Sequence, residues 1–151
     1  MAISSDVVKQ LRDQTGVSVM ECKKALEEAG GDIDKALAIL GTRAAASVGK
    51  KADRALAAGV VASYIHNTGQ VGAILVLSSE TDFVSKNEEF GALARDIAMH
   101  AAAMRPETVE ELMAQSYIKD PSKTIADLIS AATQKFGERT EVQSLTIAAV
   151  K

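Results

Sequence analysis

Apolar positions recur at the helical period through the first third of the chain and at a period of two near its middle. Between Ser5 and Gln14, the residues Val7, Val8 and Leu11 share one side of a predicted helix that Thr15-Gly16 ends. A capping box, Ser18-x-x-Glu21, opens a second helix whose Cys22, Ala25, Leu26 and Ala29 fall at i, i+3, i+4 and i+7 before Gly30-Gly31 stops it. Asp32 caps a third, with Ile33, Ala36, Leu37 and Leu40 on one face. Three such stripes can only be buried against one another. Residues 1–54 are therefore expected to form a three-helix module, of which Gly41 onward is an Ala-rich, basic connector that is helical or partly flexible. A module of about forty residues is small enough to need steadying by a partner or by the rest of the chain.

Residues 55–151 change period. Val60, Ala62 and Tyr64 alternate with Val61, Ser63 and Ile65, Asn67-Thr68-Gly69-Gln70 turns the chain, and Val71 to Ser79 runs back, which is a β-hairpin. Phe90, Leu93, Ala94, Ile97, Ala98 and Ala101 mark a long helix that stops before Pro106, and a short one is expected over Thr108 to Ala114. Asp120-Pro121 is expected to start a last helix, since proline suits the first helical position, with Ile125, Leu128, Ile129 and Ala132 on its buried side and Gly137 at its end. Leu145, Ile147 and Ala149 then alternate as a third strand. The predicted class is α+β: three helices, then a small antiparallel sheet with helices on one face.

Between hairpin and long helix lies Thr81-Asp82-Phe83-Val84. Ser85-x-x-Glu88 has the pattern of another capping box, so the chain is expected to leave the strand and enter the helix within about five residues. An aromatic on that turn is either a core plug beneath the helix or a recognition wedge.

Composition narrows the function classes. Hydrophobic residues at 47% and charged residues at 25% are ordinary globular values, and aromatics at 3% argue against a cofactor pocket lined with rings or stacking on single-stranded nucleic acid. Net charge is −3, divided as nine Lys/Arg against eight Asp/Glu up to Arg54 and eight against twelve beyond it, so neither part has the basic excess of a nucleic-acid binder. No apolar run long enough to span a membrane and no export segment is seen, and one cysteine, Cys22, forms no internal disulfide; a cytoplasmic protein is expected.

Catalytic chemistry finds no support. Gly49-Lys50 is not a phosphate-binding loop, because Ala44 and Lys51 stand where glycine and Ser/Thr are needed. His66 and His100 are isolated and read as surface or packing residues, Cys22 as a small buried hydrophobe, and Glu88-Glu89 and Glu110-Glu111 as solvated helix faces. No metal or cofactor is expected. A two-part binding protein presenting the Thr81–Val84 turn is the reading from the residues alone.

Four segments, in order along nearly the whole chain, then carry a resemblance: Val8-Lys9-Gln10-Leu11-Arg12 through Met20-Glu21-Cys22-Lys23-Lys24-Ala25-Leu26; Gly31-Asp32-Ile33 with Ala36; Thr81-Asp82-Phe83-Val84 with Asn87; and Ile118-Lys119-Asp120-Pro121-Ser122. The chain resembles the translation elongation factor Ts family, guanine-nucleotide exchange factors of elongation factor Tu. The resemblance implies that residues 1–54 are a ubiquitin-associated-like (UBA-like) domain docking on the partner's nucleotide-binding domain, with Arg12, Met20 and Lys23 at the contact. It further implies that Thr81, Asp82, Phe83 and Val84 disturb the partner's magnesium site, Phe83 inserting between partner helices with Asp82 beside it until GDP leaves. Longer members carry a second related sheet subdomain; this chain has room for one, so a homodimer through the sheet is expected. Gly137-Glu138-Arg139-Thr140-Glu141-Val142-Gln143 departs from the family's Gly-Glu-Asn followed by a basic strand. The competing reading is a non-catalytic adaptor whose three-helix module binds a peptide or a ubiquitin-like surface; a small enzyme has almost no residue support.

Overall fold

The computed structural model describes residues 2–151. It opens with three helices, α1 (Ser5–Thr15), α2 (Val19–Glu28) and α3 (Ile33–Lys51), each begun by a side-chain cap: Ser4 accepts from Val7 N–H, Ser18 from Glu21 N–H and Asp32 from Lys35 N–H. Gly16 ends α1 with a φ of 69°, in the left-handed region that a β-carbon disfavours. Val8, Leu11, Val17, Cys22, Ala25, Leu26, Ala36 and Leu40 form one buried cluster. The connector is helical further than its two glycines suggest, because α3 continues through Gly41 and Gly49 to Lys51. Arg43 on α3 holds both ends of α2, reaching Glu21 at 3.2 Å and Glu28 at 2.5 Å.

Strands β1 (Ala58–Ile65) and β2 (Val71–Ser79) pair as the expected hairpin, and β5 (Glu141–Ala149) adds to the other side of β2, giving an antiparallel sheet of order β1-β2-β5. Between them lie α4 (Asp82–Ser85), α5 (Glu88–Met104), α6 (Val109–Ala114), a two-stranded ribbon of β3 (Ser116–Tyr117) with β4 (Asp120–Thr124), and α7 (Ile125–Phe136). One sheet face, with Ala62, Ala73, Leu75, Leu77 and Val142, is buried against Phe90, Ile97 and Ala98 of α5, Leu112 of α6, and Ile125 and Ile129 of α7. Phe90 is fully buried and meets Phe136 edge-on, ring centroids 5.8 Å apart. Helix α7 also packs against α3, which joins the N-terminal helices to the rest.

Three expected boundaries are corrected. Ser85 does not cap the long helix. It closes α4, its hydroxyl donating to the Asp82 carbonyl, while Asn87 caps α5 by accepting from Glu89 N–H. Three polar residues within seven positions compete for the cap, and the burial of Ser85 decides it. Nor does Asp120-Pro121 start α7. Those residues lie in β4, as the extended preference of a residue before proline favours, and the helix opens five residues after Asp120 at a true capping box, Thr124 with Asp127. The last strand also begins earlier than its alternation at Leu145 indicates, at Glu141.

Buried His100 packs as a hydrogen-bonded core residue. Its Nδ1 accepts from Ile118 N–H at 3.1 Å, so the proton sits on Nε2 and is given to Gln115 Oε1 at 2.9 Å, tying α5 to the ribbon. His66 is exposed beside Tyr64 OH.

Candidate functional site

The chain leaves β2 at Ser79 and turns at once into α4. Thr81 is the cap of that four-residue helix, its hydroxyl oxygen accepting from Val84 N–H at 3.5 Å, and Ser79 Oγ donates to the Thr81 carbonyl at 3.1 Å. Val84 points inward and joins the core. Thr81 and Asp82 are exposed, and Phe83 is 88% exposed. The core-plug reading of Phe83 is thereby excluded: the ring beneath the helices is Phe90. An outward phenyl at the tip of a capped turn, with a carboxylate next to it, is an apolar projection carrying one negative charge.

A carboxylate from the opposite end of the chain holds the base of this turn. Glu138 Oε1 accepts from the N–H groups of Glu80 and Thr81 at 3.1 and 3.0 Å, and Oε2 accepts the Thr81 hydroxyl at 2.6 Å. Glu80 in turn accepts from Arg139 N–H at 2.8 Å and from Arg54 Nη1 at 3.4 Å, and Arg139 Nη1 donates to the Arg54 carbonyl at 2.6 Å. Sequence reasoning missed Glu80, Glu138 and Arg139 as part of the site. Nothing local in the sequence says that the segment Gly137-Glu138-Arg139 meets the turn.

The other candidate residues lie on the three-helix module. Met20 (68% exposed) and Lys23 stand three apart on the same side of α2, next to exposed Val19, and Arg12 is exposed on the last turn of α1. The Cys22 thiol is raised by burial above the ordinary cysteine range, opposed by the Thr15 hydrogen bond and by Arg12, so it is an unreactive core group. Arg12, Met20 and Lys23 are each exposed, on α1 and α2 of the module, and the Thr81–Val84 turn is on a different element.

Among the described residues no group of three or more His, Cys, Asp or Glu is disposed to hold a metal ion, and no helix is long and apolar enough to cross a membrane. A groove of about 740 Å³ runs along the seam of α1, α3 and α7, lined among others by Gln14, Leu37, Gly41, Ala44, Leu128 and Gln134. None of its lining residues belongs to the turn.

A family model described as Elongation factor TS matches residues 3–111 and 80–150. The chain is 43% identical over 149 residues to an "Elongation factor Ts" of Desulforamulus reducens, covering 89% of this chain and 69% of that protein. It is 44% identical over 144 residues to one of Clostridium acetobutylicum, covering 95% and 47% respectively. With one of Thermodesulfovibrio yellowstonii it shares 37% identity over 187 residues, 95% of this chain and 94% of the relative.

Proposed function

Because this chain belongs to the elongation factor Ts family, we propose that it releases GDP from elongation factor Tu by inserting the Thr81–Val84 turn at the partner's magnesium and phosphate site. Exchange of guanine nucleotide on elongation factor Tu is the activity that membership gives it, with no covalent step of its own. The observation that supports the finer mechanism is the exposed ring of Phe83 beside the Asp82 carboxylate. An apolar wedge entering between partner helices displaces the segments that hold magnesium, and the carboxylate opposes the negative charge of the nucleotide phosphates. Coupling is reciprocal: a factor that binds the nucleotide-free GTPase better weakens nucleotide binding by the same ratio as nucleotide weakens the factor. Nothing in it selects GTP over GDP, so direction is set by the nucleotide concentrations in the cytoplasm.

In this reading residues 1–54 are a UBA-like docking domain, and Arg12, Met20 and Lys23 contact the nucleotide-binding domain of the partner. An exposed methionine with the Lys23 cation one helical turn on suits a surface of mixed apolar and acidic character. The deciding experiment is release of labelled GDP from purified elongation factor Tu with and without the chain. Acceleration is expected, and a Met20→Asp variant should raise the half-saturating concentration about tenfold while leaving the maximal rate near that of the parent protein. Binding without any acceleration would instead favour the adaptor reading of the three-helix module.

We further propose that two copies associate through the uncovered face of the sheet. Antiparallel sheets with one packed face commonly carry polar residues on the other. Here Val61, Ile65 and Ile74 are 66%, 70% and 53% exposed on the same side, with Val61 paired to Val76 and Ile74 to Thr146. Sedimentation should find a dimer at high concentration, converted to monomer by Ile74→Lys without loss of folding. A strict monomer at all concentrations, with full exchange activity, removes the proposal.

A further inference from the structure

We infer that Glu138 is the positioning residue of the exchange turn: its carboxylate, delivered by the connection from α7 to β5, fixes the direction in which Asp82 and Phe83 are presented. The inference rests on the reading of that turn as the element that opens the partner's nucleotide site.

Helix α4 cannot hold itself. Four residues lie far below the length at which a helix persists alone, its cap bond at 3.5 Å is long, and only Val84 and Ser85 are buried. What fixes it is the clasp. Two successive backbone N–H groups and one hydroxyl converge on the two oxygens of Glu138, at 3.1, 3.0 and 2.6 Å. Bonds to an ionised acceptor are the strong ones, and two-oxygen engagement defines orientation as well as distance. Thr81 serves both sides without conflict, because its single proton goes to Glu138 and a lone pair accepts Val84 N–H. The contact is also returned crosswise, with Arg139 N–H donating to Glu80 Oε1 at 2.8 Å.

The clasp is itself well founded. Gly137, with a φ of 71°, turns the chain sharply out of α7, Thr140 is buried and donates its hydroxyl to the Glu138 carbonyl at 3.2 Å, and Glu141 pairs with Ser78 of β2 immediately beyond. Glu138 is half-buried at the rim and is absent from the apolar cluster, so truncating it opens no core cavity. Its consequence is therefore local: two amides and a hydroxyl at the base of the turn lose their acceptor, and the turn loses its fixed direction. A wedge already held in its working orientation does not have to be ordered on encounter, whereas a free one does.

The test uses full-length variants and elongation factor Tu loaded with fluorescent GDP, measured across factor concentration. Glu138→Ala should lower the maximal release rate roughly tenfold, as for misplacement of a reacting group by a fraction of an ångström, with the half-saturating concentration within about twofold because the docking residues are untouched. Glu138→Gln, which keeps an acceptor for the amides and a polar partner for Thr81, should restore most of the rate. Amide hydrogen exchange of the free protein should speed at Glu80 and Thr81 in Glu138→Ala and remain slow in the core strands. Should the alanine variant fail to fold, Glu138→Asp carries the same expectation in milder form, a lower maximal rate at unchanged half-saturation. A parental maximal rate, a loss confined to half-saturation, or a loss that Gln does not restore overturns the inference. Phe83→Ala is assayed alongside. If it releases GDP at the parental rate, the reading of the turn fails; if it is slow while Glu138→Ala is not, only the positioning role fails.

Discussion

Phe83→Ala is expected to reduce stimulated GDP release by roughly thirtyfold or more, the effect of losing about 2 kcal/mol at a buried interface aromatic. Its melting temperature should stay close to that of the parent protein. The asymmetry follows from the structure: a ring 88% exposed in the free chain contributes little to its own core, and surface substitutions of this kind usually change stability by about 0.5 kcal/mol or less. On the proposed mechanism the same ring is buried only in the complex. Thermal unfolding and single-turnover GDP release on one preparation check both halves. A variant that melts far earlier, yet exchanges normally per folded molecule, would falsify the wedge.

The opposite outcome is expected seven positions on. Phe90→Ala removes a fully buried ring that meets Phe136 edge-on and belongs to the same core cluster as Leu75, Leu77 and Ile97. A deletion of this size costs about 3–5 kcal/mol, a large share of the total stability of a small domain. Urea unfolding should show the midpoint falling by that loss divided by the slope, with the slope itself little changed. Exchange activity should decline only in proportion to the folded fraction, because Phe90 presents nothing to a partner. A Phe90→Ala protein as stable as the parent would mean that the helix layer over the sheet is packed differently.

These two phenylalanines show where a linear reading stops. Each stands near a polar residue able to cap a helix. The apolar period of Leu93, Ala94, Ile97 and Ala101 assigns Phe90 to the core, but nothing of that kind assigns Phe83, which belongs to a separate turn of four residues. Both of its readings, plug and wedge, were therefore open until the chain folded. Much the same holds for the cap of α5. Ser85, Asn87 and Thr81 are chemically able to accept a backbone N–H, and the choice among them depends on which is buried against the sheet. At Asp120-Pro121 the local preference for a helix start was real but weaker than the pairing of β3 with β4 and the Thr124–Asp127 box.

What the sequence determined by itself is everything whose cause lies within a few residues. The three N-terminal helices with the Ser18 and Asp32 caps, the β1–β2 hairpin, the α5 stripe and the α+β class follow from periodicity and from side chains that bond their own backbone three positions away. The family resemblance belongs here too, since it rests on short segments read in order. Tertiary structure alone decided that Phe83 faces solvent and that the turn is held by Glu138 from 57 residues away. Those facts depend on which distant segments are brought together. A carboxylate on the sequence carries no mark of the amides it will accept from, because hydrogen-bond partners across that separation are fixed by the packing of α7 and β5 against the sheet and not by any local preference.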